Sequence, residues 1–148
     1  MTIQGLLDKV KKVDLHGEVD RILKKSAKDL IELNKEQLFQ FGIRSDGVKL
    51  KEYMSKSYAK KKFQINPQPG FGTPDFVNKG SFFSQFVVNV SKDSFDIISK
   101  DSKTQKLIDR DGPKIFGLTK ENKELYLSVT FGPDIRSYIT KTTGLVFR

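Results

Sequence analysis

The sequence predicts an α+β fold. A long N-terminal helix and a C-terminal helix pack on a small antiparallel β-sheet, with a long Pro/Gly loop between them. Three observations predict it. Apolar residues recur at helical spacing across residues 18–41. A Phe/Val run at 81–90 alternates with period two and is followed by a turn and a second short apolar run. Between them, Asn66 to Pro74 holds three prolines and two glycines in nine residues, which excludes a regular helix or a central strand. The length of 148 residues suits one domain.

The elements follow in order. Residues 1–17 form an N-terminal helical segment, with Ile3, Leu6, Leu7 and Val10 on one amphipathic face and Gly17 as the break. Residues 18–41 form the long helix. Its stripe is Val19, Ile22, Leu23, Ala27, Leu30, Ile31, Leu38 and Phe41, and Gly42 is its stop. Residues 42–80 form an extended basic and Pro/Gly loop. Ser45-Asp46-Gly47 is a turn signal. Lys49, Lys51, Lys56, Lys60, Lys61 and Lys62 place six lysines in fourteen residues, against one acid, Glu52, with Tyr53 and Tyr58 interleaved.

Residues 81–118 form the β-hairpin and sheet. Phe82, Ser84, Phe86, Val88 and Val90 line one face, Ser91-Lys92-Asp93 turns the chain, Phe95 to Ser99 returns it, and Leu107-Ile108 adds a third strand. Residues 119–148 form the C-terminal helical segment and tail. Thr119 is a good N-cap, and Glu121 puts negative charge in the first turn. Leu125, Leu127, Val129 and Phe131 fit a helix, although the alternation at 125, 127 and 129 also fits a strand. Pro133 suits the first position of a last helix through Ile135, Tyr138 and Ile139. The segment Leu145-Val146-Phe147 is apolar and is expected to add an edge strand or dock on a neighbour.

Catalytic inventory is sparse. With no cysteine there is no disulfide, thiolate nucleophile or zinc–cysteine site. One histidine, His16, makes no metal cluster by itself and reads as a surface or capping residue. Gly70-Phe71-Gly72 lacks the strand-before, helix-after setting of a phosphate loop, and no Gly-x-Ser-x-Gly element occurs. Asp93, Asp96 and Asp101 match no ligand-loop spacing and read as turn and edge residues. No catalytic, metal or cofactor-binding residue is assigned, and an enzyme is not expected.

The net charge is +9, from 27 basic and 18 acidic residues. That excess suits an acidic partner such as DNA or an acidic protein face. The cations are mostly lysine, whereas base reading favours arginine forks, so any DNA contact is expected to be to phosphate and blind to sequence. The same lysines also read as a solvated face. No apolar run approaches the roughly 20 residues of a membrane span, and the first residues lack the pattern of a signal peptide, so no membrane contact and synthesis in the cytoplasm are expected.

Three segments carry a family resemblance. The first is Gly42-Ile43-Arg44-Ser45-Asp46-Gly47-Val48-Lys49-Leu50, with the Lys/Tyr/Ser-rich stretch to Lys62. The second is Val77 to Phe86, in which Gly80 and Phe82 fit and Lys79 stands where the family usually has threonine. The third is Pro113 to Asn122, in which Pro113, Phe116, Gly117, Leu118, Thr119, Glu121 and Asn122 match. In this order, over roughly residues 18 to 131, they resemble the virion morphogenesis and tail-completion (neck, head–tail connector) proteins of tailed phages.

The resemblance implies a non-catalytic virion protein made in the host cytoplasm. Copies would form a hexameric or dodecameric ring at the neck or tail end, completing the capsid–tail connection. Its partners would be the portal or connector, other neck and tail proteins, and non-specific DNA in the lumen. On this reading Lys49, Lys51, Lys56, Lys60, Lys61, Lys62, Pro67, Pro69 and Phe71 face an interface or DNA. Gly80, Phe82, Pro113, Phe116, Gly117 and Thr119 form a structural junction. The competing expectation is a basic nucleic-acid-binding accessory protein, whose binding would weaken steeply with salt.

Overall fold

The computed structural model describes residues 1–92 and 94–148. It has an α+β architecture: eight α-helices, one 3-10 turn and one π-helical turn around a two-stranded antiparallel sheet, among the described residues. The N-terminal helix α1 spans Ile3–Val10, capped by Thr2, whose Oγ1 accepts from Gly5 N at 3.0 Å. Gly17 does not break the chain. The break falls at residues 11–14, and α2 runs Leu15–Lys25 with Asp14 as cap, accepting from Gly17 N at 3.0 Å. A Cβ on residue 17 would lie 2.3 Å from Asp14 Oδ2, so the glycine makes room for the cap.

The single long helix over 18–41 is not formed. The chain breaks at Ser26, and α3 runs Ala27–Phe39. Ser26 Oγ donates to Ile22 O at 2.7 Å and shares a 2.6 Å hydrogen bond with the Tyr126 hydroxyl. A serine that back-bonds to the preceding turn bends helices, and here a distant tyrosine holds the bend. Ile22, Leu23, Leu30 and Leu38 of the predicted stripe are buried. Phe41 is exposed, because α3 ends before it and Gly42 then turns at φ +60°.

Residues 56–65, expected in the loop, form helix α4 (Lys56–Ile65). Lysine is a good helix former, Ser55 Oγ caps Tyr58 N, and Ala59 is buried beneath the turn. The flanking segments stay irregular, apart from a bridge between Ile43 and Lys49. Residues 81–84, expected in the first strand, form a short helix, α5 (Ser81–Ser84). The hairpin then pairs β1 (Phe86–Ser91) with β2 (Ser94–Ser99), from Phe86 opposite Ser99 to Ser91 opposite Ser94. The expected turn residue Asp93 lies outside the described residues.

No third strand forms at 107–108 among the described residues. Leu107 and Ile108 lie in α6 (Thr104–Asp111) and pack on the core from one helical face. A 3-10 turn (Pro113–Ile115) leads to α7 (Lys120–Tyr126), a π-helical turn (Leu127–Phe131) and α8 (Gly132–Thr143), where Pro133 sits in the first turn. Residues 145–148 add no strand.

The core explains the phenylalanine content. Phe82 stacks on Phe76 at 5.4 Å between ring centroids and meets Phe86 edge-on at 5.1 Å; Phe116 lies 5.5 Å from Phe86. Leu30, Leu38, Leu50, Ile97, Ile115 and Leu118 close the cluster. Offset and edge-to-face ring pairs add to the burial of apolar area, which is the main favourable term.

Candidate functional site

Two regions carry the residues singled out by the sequence. The first is the junction at 113–122. Its backbone is read by two side chains of α3 that face the core, Asn34 and Gln37, both essentially inaccessible to solvent. Asn34 Nδ2 donates to Ile115 O at 3.0 Å and its Oδ1 accepts from Gly117 N at 3.0 Å. Gln37 Nε2 donates to Gly117 O at 3.0 Å, and its Oε1 accepts from Thr119 N at 2.8 Å and Asn122 Nδ2 at 2.7 Å. Two amides one helical turn apart thus satisfy an irregular buried segment as a neighbouring strand would. Sequence reasoning passed over both, since polar residues on an apolar stripe carry no signal until their partners are known.

Of the expected junction residues, Phe82 and Phe116 meet across the core. Gly117 takes φ +103°, a conformation that disfavours a side chain. Thr119 caps α7, accepting from Asn122 N at 3.3 Å. Phe116 and Phe82 are 6.1 Å apart between ring centroids, while Gly80 caps α5 in the left-handed region and Pro113 opens the 3-10 turn. The 44–46 turn locks on from outside. Ser45 N donates to Lys114 O at 2.8 Å and Arg44 Nη1 to Asp111 O at 2.9 Å. Arg44 also grips Asp46 through Nε at 3.1 Å and Nη2 at 2.6 Å, which holds the Asp46 carboxyl below the usual range.

The second region is the arch from Lys49 to Pro74. Lys49, Lys51, Lys56, Lys60 and Lys61 are exposed. Lys62 is not an available cation. Its ammonium lies 2.9 Å from the buried Asp75 and donates to Val77 O. Asp75 Oδ1 also accepts from Val77 N at 3.0 Å. Pro67 is exposed, Pro69 packs near Gly42 and Thr73, and Phe71 meets Phe63 edge-on at 5.8 Å while staying half-exposed. Tyr53 and Tyr58 stack edge-on at 5.0 Å, and burial pushes the Tyr53 phenol up to about 12.

Among the described residues no group of three or more His, Cys, Asp or Glu is placed to hold a metal ion. His16 lies in the first turn of α2, and Asp101 is buried, accepting from Lys103 N at 2.8 Å and from Gln85 Nε2 at 3.3 Å. The Lys103 amide, then the Ser81 hydroxyl, hold the Asp101 carboxyl low. No helix among the described residues is long and apolar enough to cross a membrane. No family model, curated protein or solved structure matches the chain.

Large apolar side chains remain exposed in separate patches. One lies on α1, at Ile3, Leu7 and Val10; one on α7 and the π turn, at Leu125 and Val129, while Leu127 faces another side beside Val19, Leu23 and Phe95; Leu145, Val146 and Phe147 follow at the end of α8. Apolar surface grouped in this way marks sites of association.

Proposed function

We propose that this chain is a structural virion protein that forms a ring at the head–tail neck or tail end of a tailed phage. The observation that carries this reading is the set of separate apolar patches on one small domain. A subunit touching a neighbour on each side needs two such surfaces that differ from each other. The three family-like segments support it, since in this chain they fall on the 44–50 turn, the α5 entry to the hairpin and the clamped junction. Lys49, Lys51, Lys56, Lys60 and Lys61 would then meet an acidic neighbouring ring or the phosphates of DNA in the lumen.

Quantitative mass spectrometry of gradient-purified, high-salt-washed particles tests this. Six or twelve copies per particle is the expected result, and absence from particles despite abundant expression overturns it. The exposed lysines favour a second reading, a nucleic-acid-binding accessory protein. If five lysines each neutralise one phosphate, the isolated chain would bind duplex DNA with a log–log salt slope of about −4 to −5.

A further inference from the structure

The patch on α7 and the π turn opens onto a groove of about 660 Å³. Its walls are Leu33 and Phe39 of α3, Val77, Phe83, and Leu125 and Val129 across from them. Its rim is acidic, with Asp29, Glu32 and Glu36 at helical spacing along α3. Lys35 offsets part of that charge through a 3.0 Å pair with Glu32. An apolar trough with an acidic lip selects an amphipathic, basic helix.

The chain itself carries one. Helix α1 presents Ile3, Leu7 and Val10 at i, i+4 and i+7, respectively 81%, 48% and 46% exposed. It touches α8, but none of its residues is buried. Lys9, Lys11 and Lys12 crowd its C-terminal end. A helix of eight residues is marginal in water without a surface to cover its apolar face. Its length, about 12 Å, fits the stretch of α3 from Asp29 to Phe39, about 15 Å.

We propose that the groove between α3 and α7 seats helix α1 of a second copy of this chain. The match is one of charge sign and apolar pattern: an acidic lip, partly offset by Lys35, against Lys9, Lys11 and Lys12 of the visitor, and apolar anchors along the floor and along the stripe. Stripe and groove are different surfaces of one chain; the proposed contact is head-to-tail and propagates from copy to copy, whereas a reciprocal pair would stop at two. The proposed ring would give it closure; the seat itself depends only on this chain.

The absence of cysteine makes the test direct. Leu7→Cys and Val129→Cys are placed in one chain, both at exposed positions, and the purified protein is oxidised mildly. A disulfide ladder extending beyond the dimer is expected, and none from either single variant mixed with parent chain. Only intramolecular disulfide, or no disulfide, overturns the seat; a ladder ending at two overturns the head-to-tail order. Charge reversal gives an independent readout by native mass spectrometry. Glu32→Lys with Glu36→Lys should weaken self-association about tenfold or more, and adding Lys9→Glu with Lys12→Glu should restore it. An unchanged oligomer in the first variant overturns the charge match. Crosslinking in a protein absent from particles would sink the virion reading alone; stoichiometric copies in particles without crosslinking would sink the seat alone.

Discussion

The clamped junction and the lysine arch follow opposite logics. In the junction, the irregular backbone between the 3-10 turn and α7 is held by Asn34 and Gln37, which leave its buried polar groups paired. The arch spreads most of its cations into solvent and carries one buried ion pair, Lys62–Asp75, beside the apolar anchors Leu50 and Ala59. A polar residue therefore matters to stability here according to whether it is buried with partners. Within α4, Lys62 and its neighbours Lys60 and Lys61 are chemically identical and structurally unlike.

Substitution at that anchor should break the contrast most sharply. Lys62→Ala leaves Asp75 buried without its cation and should cost about 3–5 kcal/mol in urea unfolding. A loss below about 1 kcal/mol would mean that Asp75 is satisfied by Asn66 and Val77 N alone. Gln37→Leu should cost about 3 kcal/mol, since Gly117 O and Thr119 N both lose their partner. Amide exchange at Thr119 should rise with it. Thr119→Ala, which removes only the α7 cap, should cost about 1 kcal/mol in the same assay.

The arch also has a pH signature. The Tyr53 phenol is held up in the folded state, so folding is favoured while it keeps its proton and loses that advantage as pH rises. The loss begins near the unfolded value of about 10 and runs through about 12. Tyr53→Phe should flatten this alkaline decline; an unchanged curve would assign the decline elsewhere. The smallest effect is expected for Lys56→Ser, Lys60→Ser and Lys61→Ser combined. These side chains are solvated, so stability should move by no more than about 0.5 kcal/mol per site. DNA affinity, if the arch contacts phosphate, should fall and the salt slope should shrink by about three.

Local signals were legible where chemistry is local. Thr119 as a cap, Pro133 in a first turn, the Phe86/Val88/Val90 face and the α+β class all follow from neighbours within a few residues. The lysine run concealed α4, because charge density suggested a loop while lysine favours helix. Leu107-Ile108 is too short to show whether its period is two or 3.6. The exposed residues of the arch were found from composition, but the burial of Lys62 was not, since its partner lies thirteen residues away across the Pro/Gly segment.

The sequence by itself determined the Thr119 cap, the turns at Gly42 and Gly47, the hairpin face and the positive surface, because each depends on backbone propensity or on charge that no folding removes. Only the tertiary structure decided the bend at Ser26, the role of Asn34 and Gln37, and the burial of Lys62. Each of these rests on a hydrogen bond or ion pair to a residue distant in sequence: Tyr126 for Ser26, the 115–119 backbone for the two amides, Asp75 for the lysine. A buried polar side chain is stable only with its partner in place, and the partner is brought there by the fold.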